Sequence, residues 1–163
     1  MRLAIVVVGA TAAAVVDLGT RRIPNPLVGT IAGAGLALAG LHPTGAGLGT
    51  ALGGLGVGGL LMLPGHLFGR TGAGDVKLLA ALGTLLGPAG AAAAFVYTLL
   101  AGGVLVVIVA ARRHRLTVTI ARAASLVRTG GSHVADIEGR AADNRFAYAP
   151  AIAVGACLAA MGA

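Results

Sequence analysis

Apolar residues fall in long blocks along this chain, separated by short polar segments. The blocks lie near residues 3–16, 27–41, 48–68, 78–87, 89–111 and 146–161. A helix needs about 20 predominantly apolar residues to cross the hydrocarbon core of a bilayer. Five blocks therefore predict membrane spans. The block at 78–87 is short and is ended by Pro88, so it predicts a partial span or one that borrows residues from the loop before it. The expected fold is all-α: a polytopic transmembrane helix bundle of about six spans. Residues 1–163 are expected to form a single transmembrane domain with a basic loop at about 112–145.

Composition agrees. Hydrophobic residues make up 57% and charged residues 10% of the 163, and the mean hydropathy is +0.93. A soluble domain carries about 25% charged residues to keep its surface wet, so a bilayer is the surface this chain suits. Glycine is abundant at 28 residues, with no Trp, two Tyr and three Phe. Small residues let membrane helices approach closely. Gly49-x3-Gly53 and Gly54-x3-Gly58 have the required spacing, although a glycine-rich helix without a particular partner would look the same. Cys157 is the single cysteine; it has no internal disulfide partner and reads as a small apolar helix residue.

Charge sets the orientation. Arg2, the following apolar run and Ala12-Ala13-Ala14 imitate a secretory signal peptide. If instead all six blocks span and the N-terminus lies outside, eleven of the 12 basic residues fall in cytoplasmic loops and only Arg2 lies outside. That distribution obeys the positive-inside rule, and dropping one span before the basic loops would break it. The net charge of +7 is then what insertion requires, and without an aromatic-rich basic patch it does not indicate a nucleic-acid partner. In the long loop, Leu116, Ile120, Ala124 and Val127 recur at helical spacing. They fit an interfacial helix on the anionic leaflet, ended by Gly130-Gly131, as an alternative to an irregular basic loop.

The acids carry the chemical information. Of five, Asp136, Glu138 and Asp143 cluster in the long loop, where water can reach them. Asp17 and Asp75 each sit at the cytoplasmic edge of an apolar block. An ionisable group there costs free energy and is a functional hypothesis by default, although either alone could be an interfacial residue that reaches water or caps a helix. A pair has a definite use. Two close carboxyl groups hold one proton between them. The ionised member takes a proton from a water that attacks a peptide carbonyl, and the protonated member donates to the carbonyl oxygen and then to the leaving amine. Such a pair needs no metal, cofactor or covalent intermediate. Competing chemistries have little support: His42, His66, His114 and His133 are scattered without an i, i+4 pair, and the only serines, Ser125 and Ser132, lie in the basic loop.

Local sequence adds detail. Pro24 and Pro26 force the turn after Asp17 out of helix, and Asn25 is placed to cap the second span with Pro26 at its first position. Gly72 and Gly74 remove side chains just before Asp75, leaving room for a substrate backbone or another helix. Lys77 favours ionisation of a nearby acid or anchors its helix at the interface; the sequence leaves both open.

At these residues the chain resembles the type IV prepilin peptidases, intramembrane aspartic peptidases with a GxGD motif. The likeness rests on Asp17 followed by Ile23-Pro24-Asn25, on Gly72-Ala-Gly-Asp75-Val-Lys77 running into Leu-Leu-Ala-Ala-Leu-Gly83, and on the last block from Phe146 through Pro150. It implies that Asp17 and Asp75 are the catalytic pair, with Gly72, Gly74, Lys77, Pro24 and Asn25 supporting them or contacting substrate. It implies a multi-pass protein of the bacterial cytoplasmic membrane that removes the leader of pilin-like precursors at the cytoplasmic face. The cytoplasmic domain with paired cysteines found in bifunctional members is missing, so the chain looks like the short, peptidase-only branch of Flp-type (tight-adherence) pili. Pro26 and Val28 depart from what often follows the IPN segment. Other readings are a GxGD protease with other signal-peptide-like substrates, and a transporter or assembly factor using the same aspartates for protons or cations.

Overall fold

The computed structural model describes residues 1–41, 47–68, 71–112 and 148–162. The interfacial helix expected around Leu116–Val127 and the loop acids lie outside these residues. Among the described residues every regular element is a helix: α1 (Arg2–Thr20), α2 (Asn25–Leu41), α3 (Leu48–Leu67), α4 (Ala73–Arg112) and α5 (Ala149–Met161). The chain divides into one compact unit, Met1–Gly102 with Ala147–Ala163, and a second, Gly103–Phe146. The packing and the site described below are those of the first unit.

Arg2–Thr20, Leu48–Leu67 and Ala73–Val109 are long and apolar enough to cross a membrane, and Asn25–Leu41 and Ala149–Met161 are shorter apolar helices. Large apolar side chains such as Val8, Val15, Leu52, Leu60 and Leu100 are exposed, as they must be on a surface solvated by lipid rather than water. The chain is an all-α membrane bundle.

The short fourth block is explained by α4. Its helix starts at Ala73 rather than near Leu78, so it does take residues from the preceding loop. It is interrupted at Gly87, whose φ of 73° and ψ of 178° only glycine adopts readily. Pro88 follows and starts the second arm, where its missing N–H costs nothing. The first arm, residues 73–86, is only about 21 Å long at 1.5 Å per residue, less than the roughly 30 Å hydrocarbon core. It is also the most enclosed part of the fold: Leu78, Leu79, Ala81, Leu82 and Leu85 are all buried. A segment surrounded by protein need not match the bilayer, and a broken backbone at membrane depth is tolerated where protein covers it.

Close backbone approach holds this arm in place. A methyl group on Gly54 of α3 would run into the Gly83 carbonyl of α4, and one on Gly83 into the Gly54 carbonyl. One turn along, a Cβ on Gly58 would lie 2.6 Å from the Leu79 carbonyl oxygen. The Gly54-x3-Gly58 spacing is therefore a helix–helix contact, whereas Gly49 has none of the described residues within 4 Å. Gly35 of α2 makes room for the Thr84 side chain, and Gly155 seats α5 against Ala94 and Thr98 in the second arm of α4. In lipid, where apolar burial gains little over contact with acyl chains, such approaches are a main source of association. α1 packs extensively along α5 and also against α2, and Val6, Gly9, Ala10, Ala13 and Asp17 are its buried residues.

Candidate active site

Asp17 and Asp75 are the only acidic residues among those described, and both are buried, at 6% and 8% exposure. They come from different helices, and their carboxyl groups lie close enough for their charges to interact.

Asp75 sits in the first turn of α4. Gly72 is the residue before that helix, and its carbonyl accepts from the N–H groups of Asp75 at 3.1 Å and Val76 at 3.4 Å. In return, the Gly72 N–H donates to Asp75 Oδ2 at 3.1 Å. This is the acid half of a capping box, a side chain reaching back to satisfy a donor at its own helix start. The positive end of the helix dipole favours a carboxylate there. A Cβ on Gly72 would stand 3.2 Å from that same Oδ2, so glycine leaves the carboxylate its position.

Asp17 lies inside α1, whose helix continues past the apolar block to Thr20. Its main-chain carbonyl accepts from the Arg21 N–H at 2.7 Å, and Arg21 ends the helix in the left-handed region at φ 53°. Its carboxylate faces another element: Oδ2 accepts from the Ala149 N–H, the first of α5, at 3.3 Å. The next residue, Pro150, has no N–H, and the following two donors, Ala151 and Ile152, bond the Tyr148 carbonyl at 3.0 and 3.2 Å. Among the first donors of α5, Ala149 is thus the one left for Asp17.

The supporting residues divide. Gly74 admits the Ile23 side chain, whose Cβ would stand 3.2 Å from a Cβ at position 74. The space is filled by the turn after α1, which brings that turn against α4. Asn25 does not cap α2 through its side chain. Its Oδ1 accepts from Lys77 Nζ at 3.1 Å, because an ammonium is a stronger donor than a backbone amide. That bond ties the start of α2 to the start of α4, a contact neither expectation for Lys77 included. Pro24 is exposed and accepts the Val28 N–H at 3.3 Å through its carbonyl, the role of the residue before a helix. His66 Nδ1 lies 3.0 Å from the Thr71 carbonyl oxygen, and the Thr71 N–H donates to the Gly65 carbonyl at 3.1 Å. Together they hold the end of α3 to the segment leading into Asp75. Thr71 Oγ1 is buried there without a hydrogen-bond partner among the described residues.

Sequence reasoning missed the Ala149 N–H and its neighbour Tyr148. Pro150 was a signal of a helix start, but nothing local tied that start to Asp17.

The segment from Asp17 to Asp75 falls within residues 4–107, which match the sequence profile of the type IV leader peptidase family. The chain belongs to that family. Among curated proteins and among solved structures, none matches the chain. Membership implies a peptidase acting, in general terms, on the leaders of pilin-like precursors, and with the apolar helices it makes the chain a membrane protease.

Proposed function

We propose that the chain is an aspartic endopeptidase in which Asp17 and Asp75 share one proton and activate a water to cut the leader from pilin-like precursors. The observation that carries the reading is the burial of the only two described acids within range of each other's charge, each with one carboxylate oxygen on a backbone N–H. Each therefore keeps a second oxygen for a water, a proton or substrate. The ionised carboxyl takes the water's proton as it attacks the scissile carbonyl. The protonated one donates to the developing oxyanion, and the carboxyl that took the water's proton then passes it to the departing amine. The crowding of basic residues on the loops next to both acids supports cleavage at the cytoplasmic face.

The test is co-expression with a pilin-like precursor, with cleavage followed by gel mobility. Asp17→Asn and Asp75→Asn should each lower cleavage by about 10²–10⁴-fold while inserting in the membrane like the parent. Cleavage at the parental rate by either variant would exclude the paired mechanism. Cleavage should also show a bell-shaped pH dependence, because the pair works with one proton and fails with none or two.

A further inference from the structure

Among the described residues, the one donor to the Asp17 carboxylate comes from a helix that has no side-chain cap of its own, so something must fix where that helix begins. Tyr148 is the residue in that place. Its carbonyl gathers the Ala151 and Ile152 N–H groups, which sets the first turn of α5 and leaves the Ala149 N–H for Asp17. Its ring is partly buried and packs against the core. The ring lies on the second arm of α4 at Gly102, where an added Cβ would fall 3.0 Å from both Cε2 and the phenol oxygen. Gly102 itself is buried, and its bare backbone is the seat of the ring. Among the described residues nothing lies within 4 Å of a Cβ added at the neighbouring Gly103, so the ring is seated on Gly102 alone of the two.

We propose that Tyr148 is a positioning residue of the aspartate site: its ring, seated on Gly102, wedges the start of α5 so that the Ala149 N–H stays on the Asp17 carboxylate. This rests on the assignment of Asp17 to catalysis. The phenol also lies within electrostatic range of Asp75, and the Ala149 N–H next to it is on Asp17. Its action is mechanical. A ring pushed off the seat carries the peptide unit between Tyr148 and Ala149 with it, and a hydrogen bond of 3.3 Å has little length to spare.

The experiment compares Gly102→Leu, Gly102→Ala, Gly103→Ala, Tyr148→Phe and Tyr148→Ala in the full chain, each normalised to folded, inserted protein. Precursor cleavage is measured across pH. Gly102→Leu should lower kcat by about tenfold or more, since sub-ångström misplacement of a reacting group is costly, with KM little changed. It should also move the acid limb of the pH–rate profile, which a mere loss of folded protein would not do. Gly102→Ala should give a smaller change in the same direction, and Gly103→Ala none. Tyr148→Phe keeps the ring and should recover most of the activity that Tyr148→Ala loses. If Tyr148→Ala does not accumulate, the two Gly102 variants decide. Parental kinetics and pH profile in Gly102→Leu, or a Tyr148→Phe as inactive as Tyr148→Ala, would overturn the wedge. Active Asp17→Asn would instead overturn the function on which it rests, so the two failures are separable.

Discussion

Asp75 and Asp17 reach the same state, a buried carboxylate held by a backbone N–H at a helix start, through very different stretches of chain. The donor to Asp75 is three residues upstream in the same turn, and the helix whose dipole favours the charge is its own. The donor to Asp17 is 132 residues away. Asp17 itself stands near the C-terminal end of α1, where the dipole disfavours a carboxylate. Only α5, packed alongside, supplies the compensating N-terminus. One half of the site is built by local sequence and forms with its helix. The other half exists only after α1, α4 and α5 have come together.

That difference can be broken first on the tertiary side. In Gly155→Ala the new methyl would lie 2.6 Å from the Ala94 carbonyl oxygen and 2.6 Å from the Thr98 backbone nitrogen, neither of which can turn aside as a side chain can. α5 must move away from α4. Overpacking of this kind costs about 1–3 kcal/mol, and the displaced Ala149 N–H should lower precursor cleavage by about 10²-fold. Thermal unfolding in detergent and cleavage kinetics check the two effects. The local half is tested by Gly72→Ala, whose methyl would crowd Asp75 Oδ2 at 3.2 Å. Gly72 is exposed, so the unfolding temperature should hold. Cleavage should fall by about tenfold as the carboxylate is turned. A Gly72→Ala that unfolds earlier but cuts normally would reverse this half of the comparison.

The smallest expected effect belongs to the bond between Lys77 and Asn25, which joins the two halves at an exposed site. Lys77→Met and Asn25→Ala should each cost up to about 1 kcal/mol and slow cleavage about two- to threefold. If the bond is what matters, the double variant should be no worse than either single one. Additive losses in that double-mutant cycle would show that the two residues act separately.

The legible and illegible parts follow the same division. Apolar blocks located every described helix, because lipid demands long uninterrupted apolar runs. The scarcity of acids singled out Asp17 and Asp75, because a carboxylate at a membrane segment is retained only at a cost. Glycine placement was only half legible. Gly54-x3-Gly58 and Gly49-x3-Gly53 look alike in sequence, yet the former meets the Gly83 and Leu79 backbone, whereas Gly53 meets only the Pro88 ring and Gly49 meets none of the described residues. Asn25 had the composition of a cap, but a lysine 52 residues away took its oxygen. The break at Gly87 was read one residue late, at Pro88, because proline is the louder signal while glycine supplied the unusual backbone angle.

What the sequence by itself determined is therefore the material: an all-helical membrane chain, its segments, two exceptional aspartates, and the Gly72–Asp75 turn that orients one of them. Those properties depend on composition, periodicity and contacts within one helical turn, all of which are written in consecutive residues. The tertiary structure decided that the 73–86 arm is the enclosed centre, that Ile23 fills the space at Gly74, and that Asp17 is served by Ala149 beside Tyr148. These depend on which glycine meets which carbonyl across a helix crossing. Spacing within a single segment does not encode the partner's register, so that information appears only when the helices pack.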